Sequence, residues 1–374
     1  FFLTDDQDDP LKWAFPSILL EPDRFMLVFA SGRDTVIGSY LHTNFKINAG
    51  GEWIYLYKSG AVLVDSVMPV DLADDISFGR RPDGSDSWFT FEYPTPRRSN
   101  NFSNTLSFSH ERGYYPTPFS LSVTSDDGQA TIRYTLDGSF PGPGSASYMQ
   151  PLYLGYRYDD PNTISMIPTT PGEGVTDLFH WKAPWGNVDK AHVVRFRSFV
   201  DGQPASRTYS MTYLVDSLIM ERYPFPVVSI ITDPSGFFSP DSGIYVPGDS
   251  WDPSDPLWTG NYFLKGEEWK RTAHVEFFNK DGSVGFQQDA QVRIHGKSSR
   301  RRPQKSIKFT ARSSFGSPTF AYPLFPQRDQ EEYNSFILKT TFGSEDGTII
   351  KDALSHWLVG DLPFDVSHSP VSYT

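Results

Sequence analysis

Short segments in which apolar and polar residues alternate with a period of two run through most of the chain, separated by turn-forming residues. In the first hundred residues they cover 25–30, 52–57 and 61–67, punctuated by Ser31-Gly32, Gly50-Gly51 and Ser59-Gly60. The Ser59-Gly60 pair lies between two such runs. It predicts a tight hairpin, because glycine enters the left-handed conformations that short loops require. Residues 94–101, rich in Pro, Arg, Ser and Asn, break the pattern and read as a linker.

A second block runs from about 106 to 214. Residues 119–124 and 130–136 alternate strictly, and the second of these runs into the turn Asp137-Gly138-Ser139. A polar insertion is expected over 142–188, after which alternation resumes at 192–199 and 208–213. A third block opens near Pro226 with Val227–Ile231, a continuous apolar run of the kind buried on both faces. Further strands are predicted at 273–278, 291–295, 306–309 and 336–339. A helix then follows: Thr348 caps it, Ile349, Ile350, Ala353, Leu354, Trp357 and Leu358 form one face, and Gly360 ends it. The expected fold is therefore mainly β with a C-terminal α+β part.

Composition narrows the class. Hydrophobic residues at 38% and aromatics at 16% exclude a disordered, collagen-like or coiled-coil chain. The absence of cysteine removes disulfide frameworks, thiolate zinc sites and thiol nucleophiles. No apolar run reaches the roughly 18–20 residues of a membrane span. The eight histidines show no paired spacing that would suggest a zinc hydrolase, and there is no Gly-x-Ser-x-Gly elbow.

Charge is sharply polarised. The 22 residues 291–312 hold Arg293, Lys297, Arg300, Arg301, Arg302, Lys305, Lys308 and Arg312 and no acidic residue, a +8 window in a chain of −12, leaving −20 elsewhere. Residues 232–260 hold five aspartates and no basic residue. The basic window reads as strand, Gly-Lys-Ser-Ser loop, basic turn, strand. Small residues let backbone N–H groups approach an anion, and Lys or Arg beside them adds charge-assisted hydrogen bonds, so a phosphate is the natural ligand. The residues alone leave open a solvated hairpin tip balanced by the acidic segment. The loop is not a Walker motif, since Gly296 lacks its spaced partner glycine. Nucleic acid is excluded as a partner by the negative remainder. Asp5, Asp6, Asp8 and Asp9 offer carboxylates to Ca²⁺, but without the glycine and distal Glu of a calcium loop. The nine Trp residues are candidate sugar-stacking surfaces or core.

Three resemblances organise these features. Residues 1–100 resemble a bacterial lamin-tail domain lacking its opening strands. The likeness is carried by Leu3-Thr4-Asp5-Asp6, Lys12-Trp13-Ala14-Phe15-Pro16, Gly51-Glu52-Trp53-Ile54-Tyr55-Leu56 and Asp75-Ile76-Ser77-Phe78-Gly79-Arg80. Residues 107–215 resemble the chitobiase/β-hexosaminidase C-terminal-type sandwich through Ala130-Thr131-Ile132-Arg133-Tyr134-Thr135-Leu136-Asp137-Gly138-Ser139 and Tyr209-Ser210-Met211-Thr212-Tyr213. Residues 226–374 resemble the N-terminal half of a spore-coat CotH-type kinase domain through Val292-Arg293-Ile294-His295-Gly296-Lys297-Ser298-Ser299-Arg300 and Pro303-Gln304-Lys305-Ser306-Ile307-Lys308-Phe309.

Together the resemblances imply two immunoglobulin-like β-sandwiches in series, followed by half of an atypical kinase-like domain, in a secreted, cell-surface bacterial protein. The CotH likeness implies ATP γ-phosphoryl transfer to Ser or Thr with Mg²⁺. Gly296, Lys297, Ser298, Ser299 and Arg300 would then cover the phosphates, Lys305 would pair with them, and the catalytic carboxylates are expected beyond Thr374. The alternative is a non-enzymatic adhesion, filament or assembly component whose sandwiches contact proteins or glycans.

Overall fold

A computed structural model of the chain describes residues 1–339, apart from 21–24, 39, 49, 73–75, 92–93, 98, 102–103, 173–174, 176–178, 313–314, 316 and 326–327. The helix expected over 348–360 lies outside the described residues. The described chain is mainly β and divides into two compact units, Phe1–Phe102 and Ser103–Thr374.

In the first unit the strands are β1 (Phe2–Thr4), β2 (Trp13–Ala14), β3 (Val28–Phe29), β4 (Thr35–Ile37), β5 (Tyr40–His42), β6 (Ile54–Lys58), β7 (Val62–Val67), β8 (Ser77–Arg80) and β9 (Trp88–Phe91). They form a four-stranded sheet ordered β2-β1-β6-β7, a three-stranded sheet β3-β5-β4 and the pair β8-β9. The expected hairpin is β6–β7, closed by Gly60 at φ +82° and Ala61 at φ +55°. The run 25–30 contributes only the two residues of β3 to a ladder. Its alternation still shows in packing, because Met26, Val28 and Ala30 lie against the core of Trp13, Leu41 and Phe45.

The second unit opens with β10 (Leu106–Phe108), β11 (Gly113–Tyr115), β12 (Phe119–Leu121), β13 (Val123–Ser125), β14 (Thr131–Thr135), β15 (Ala146–Ser147), β16 (Leu152–Leu154), β17 (His192–Val200), β18 (Gln203–Pro204) and β19 (Tyr209–Val215). One sheet runs β11-β19-β17-β14-β15 with β18 beside β17, and the pairs β10-β13 and β12-β16 stand apart from it. Ile132, Val194, Phe196, Met211 and Tyr213 of that sheet meet Leu106, Leu121, Val123 and Leu154 of the two pairs in one core, which makes this a sandwich. Part of the predicted insertion belongs to it. β15 pairs with β14 and β16 with β12, so the chain leaves the sandwich only after about residue 154. Strands of two and three residues are too short to display a period, and so 142–154 reads as loop.

The rest of the unit is a five-stranded antiparallel sheet, ordered β20-β21-β22-β23-β26. Its members are β20 (Val227–Ile231), β21 (Arg271–Phe278), β22 (Val284–His295), β23 (Ser306–Thr310) and β26 (Ser335–Leu338). β24 (Phe320–Ala321) pairs separately with β25 (Glu332–Tyr333). Short helices occupy Ile219–Arg222 (α1) and Pro234–Phe238 (α2). The second is capped by Asp233, whose Oδ1 accepts from Ser235 N at 2.8 Å. Ala273, Val275 and Phe277 of β21 point into one core with Val292, Ile294, Ile307 and Phe309.

The alternate residues of β21 face the sandwich. His274 and Glu276 are buried, and the Arg112 guanidinium pairs with Glu276, donates to Ser210 O at 3.0 Å and stands 3.2 Å from His274 Nε2. Arg195, 1% exposed, donates to Ile231 O at 2.9 Å, and Thr212 meets Ser229 hydroxyl to hydroxyl at 2.7 Å. Gly138 completes the seam at φ +89°: a Cβ there would stand 2.5 Å from Thr232 O, so only glycine lets this turn dock.

His274 Nδ1 also lies 2.7 Å from Asp289 Oδ1. Burial by itself raises the Asp289 pKa. The His274 hydrogen bond, its charge and the fields of Arg195 and Arg207 outweigh it, and the carboxyl is held below its ordinary 3.8. A depressed carboxylate stabilises the fold fully above its unfolded pKa and loses that contribution as pH falls through the folded one. Wild type and Asp289→Asn should therefore differ in urea midpoint at pH 7, and the gap should shrink as the pH falls below the ordinary 3.8. A gap that stays constant across that range would contradict this origin.

Candidate functional site

The basic window begins in β22, turns through a 3₁₀ segment at Ser298–Arg301 and enters β23. Gly296, at φ +103°, makes the turn possible: a side chain there would strike the Ser299 hydroxyl. Lys297 is exposed, Ser298 and Ser299 are half-buried, and Arg300 and Lys305 are buried. The six residues singled out from the sequence are thus brought together, but their two strongest cations turn inward.

Arg300 donates from Nε to Gly296 O at 2.7 Å, from Nη1 to Tyr262 O at 2.7 Å and Leu264 O at 3.3 Å, and from Nη2 to Ile294 O at 2.8 Å. Burial, with Arg293 nearby, lowers its pKa, yet a guanidinium stays charged at any physiological pH. Main-chain carbonyls take four of the five N–H donors of its fork, the part that recognises phosphate.

Lys305 is more enclosed still, at 3% exposure. Its Nζ donates to Thr169 O at 2.6 Å and Arg302 O at 2.9 Å, and sits 4.3 Å from the Tyr262 ring centre and 5.1 Å from that of Tyr245. Burial pulls its pKa well below the usual lysine value. Two carbonyl dipoles and two ring faces compensate what charge it carries. Thr169 also donates from its hydroxyl to Pro303 O at 2.7 Å. Arg301 lies between two rings, 4.4 Å from the centre of Phe179 and 4.6 Å from that of Trp258.

The window therefore gathers three distant segments: the excursion after residue 154 (Thr169, Phe179), the acidic stretch (Trp258) and the turn at Asn261–Phe263 (Tyr262). No local sequence signal marks these partners, because they are aromatic rings and carbonyls rather than acids. Lys305 and Arg300, the two residues expected to meet ATP phosphates, bond main-chain carbonyls here. Among the described residues no cluster of three or more His, Asp or Glu is arranged for a metal ion, and in the N-terminal acidic cluster Asp5 pairs with Lys12 at 2.6 Å.

Beside the loop lies a cavity of about 170 Å³, lined by Tyr262, Lys265, Glu267, Trp269, Lys270 and Arg293 among others. The field here is positive. His295 is held below its ordinary pKa first by burial and then by Arg293, Lys308, Arg300 and Lys339, so it is neutral at pH 7. Lys270 is already paired with Glu267.

A family model for the chitobiase/beta-hexosaminidase C-terminal domain matches residues 110–178. The match spans β11 to β16 and the first part of the excursion that follows. A sandwich of this type is part of the chain. No curated protein and no solved structure matches it.

Proposed function

We propose that this chain is a non-catalytic binding and assembly component of a bacterial cell surface, whose β-sandwiches contact proteins or glycans outside the cell. One observation carries the reading: Arg300 and Lys305, the two residues best suited to hold a nucleotide, are committed to Tyr262, Leu264, Ile294, Thr169 and Arg302 carbonyls. The matched sandwich supports it from a second direction, since modules of this type resemble accessory parts of larger proteins. The extracellular location rests on the resemblance of the three blocks to modules of exported proteins.

The competing reading, ATP γ-phosphoryl transfer by a CotH-type domain, is favoured by the crowd of cations around His295. The two separate cleanly. Incubated with Mg²⁺ and γ-labelled ATP, the chain should incorporate no label and show no saturable nucleotide binding at millimolar concentration. Labelling that Lys305→Ala abolishes, with the circular dichroism spectrum intact, would replace the first reading by the second.

A further inference from the structure

The basic window holds a second set of cations, which do not turn inward with Arg300 and Lys305. On β22 and β23 the residues that point away from the core, Gln291, Arg293 and His295 with Lys308 and Thr310, continue the face that meets the sandwich at β21. Arg293 stands directly opposite Lys308, and Lys308 directly opposite Ile337 of β26. Opposed residues of an antiparallel ladder bring their Cβ atoms to about 4.5–5.5 Å, a spacing at which like charges destabilise the sheet. Arg293 is exposed, Lys308 half-buried and Ile337 41% exposed. Neither cation has an acidic partner among the described residues. Asp289, on the same face, is bonded by His274. The four charges that depress His295, those of Arg293, Lys308, Arg300 and Lys339, are all positive. Repulsion of this kind costs stability in the free chain and is relieved by a bound anionic group.

Arg293 also lines the cavity beside the loop, which places the cationic face and the cavity next to each other. Ile244, Leu264 and Trp269 give that cavity apolar walls, and Lys265 adds an exposed ammonium. Glu267, the one carboxylate among its described lining residues, is the partner of Lys270. At about 170 Å³ the cavity holds one side chain rather than a nucleotide, since small-ligand pockets run to about 300–1,000 Å³. A basic partner is repelled here. An anionic sugar chain leaves Ile337, Leu264 and Trp269 without a match, whereas a polypeptide supplies acidic and apolar groups together.

The geometry points to this face and its cavity as a docking site for an acidic protein segment that carries one apolar anchor residue. The anchor packs against Leu264 and Trp269 while carboxylates on either side of it meet Arg293, Lys308 and Lys265. The site lies on the five-stranded sheet rather than on the sandwiches, so it does not depend on the non-catalytic reading. Its charged contacts are open to solvent, which makes the association sensitive to salt.

The probe is a fluorescently labelled nonapeptide, one leucine flanked on each side by four glutamates, titrated against the full chain and read by anisotropy. Saturable binding is expected at about 50 mM salt, weakening about tenfold or more by about 300 mM. Arg293→Gln combined with Lys308→Gln should weaken it about tenfold or more. Because that pair of substitutions removes a like-charge contact and leaves the core untouched, the urea midpoint should hold or rise. Replacing the leucine of the peptide by glycine should weaken binding about fivefold or more. An oligogalacturonate of the same length should bind less tightly than the leucine peptide. Equal binding of the glycine peptide, equal or tighter binding of the oligogalacturonate, or binding that the double variant leaves unaltered overturns the proposal. No saturable binding also overturns it, and is the result expected if the chain's own residues 340–374, with five acidic residues and one lysine, occupy the site.

Discussion

Replacing Arg300 with alanine is expected to destabilise the second unit by about 3–5 kcal/mol, a loss usually associated with a buried ion pair rather than a loop residue. Four carbonyl oxygens, those of Gly296, Tyr262, Leu264 and Ile294, take their hydrogen bonds from this one side chain. Hydrogen bonds to a charged donor contribute about 1.5–3 kcal/mol each, and acceptors stranded in a dry interior bear the full cost of their desolvation. Water entering the vacated space recovers part of it, which keeps the sum below simple addition. Arg300→Lys should recover less than half of the stability, because one ammonium cannot reach acceptors spread over a planar fork. Urea unfolding followed by tryptophan fluorescence measures this. A change below about 1 kcal/mol for Arg300→Ala would mean that the loop is the solvated tip the sequence also allows.

The second large effect belongs to the seam. Glu276 has no exposed surface and Arg112 only 12% of its side-chain surface, and they pair directly. Glu276→Ala should lower stability by about 3–5 kcal/mol, because it leaves the guanidinium of Arg112 uncompensated among His274, Gln287 and the Ser210 carbonyl. Removing both partners together, as Arg112→Met with Glu276→Leu, should restore most of that loss, since two apolar groups of similar volume need no desolvation of charge. A double-mutant cycle with a coupling of at least about 2 kcal/mol is the expected result. Additive single effects would show that the pair merely sits at the boundary without joining its two sides.

The repeating period of two announces nearly every strand long enough to show it. Ser306–Thr310 and the hairpin at Ser59-Gly60 are visible in this way, and Val227–Ile231 as a continuous apolar run. β22 is the informative exception. Only 291–295 reads as strand, yet the strand runs from Val284, because Gln287, Gln288 and Asp289 mask the inward Phe286, Ala290, Val292 and Ile294. Gln287 and Asp289 lie on the opposite face, where Arg112 and His274 bond them, while Gln288 shares the inward face with Phe286 and stands opposite Val275. The concentration of positive charge at 291–312 is equally plain in the sequence, but its direction is not. Whether a lysine faces an anion or a carbonyl depends on Thr169 and Tyr262, which lie 136 and 43 positions away in the chain and carry no charge to advertise the contact. Trp185 and Phe179 make the same point within a few residues of each other. Both are aromatic residues of one excursion, and burial alone distinguishes the surface ring from the one stacked on Arg301.

Gly138 has a consequence for how this architecture can be taken apart. Its turn follows β14 of the sandwich, yet the absent side chain serves Thr232, which directly follows β20 of the neighbouring sheet. Arg195 and Glu276 repeat that arrangement with charge, and Leu214 and Phe278 repeat it with apolar surface. A piece excised at the end of β19 would present a buried arginine, a stripped apolar edge and a glycine with nothing to approach. The expected unit of cooperative unfolding here is the sandwich together with its sheet, and separating one from the other would need the seam to be rewritten.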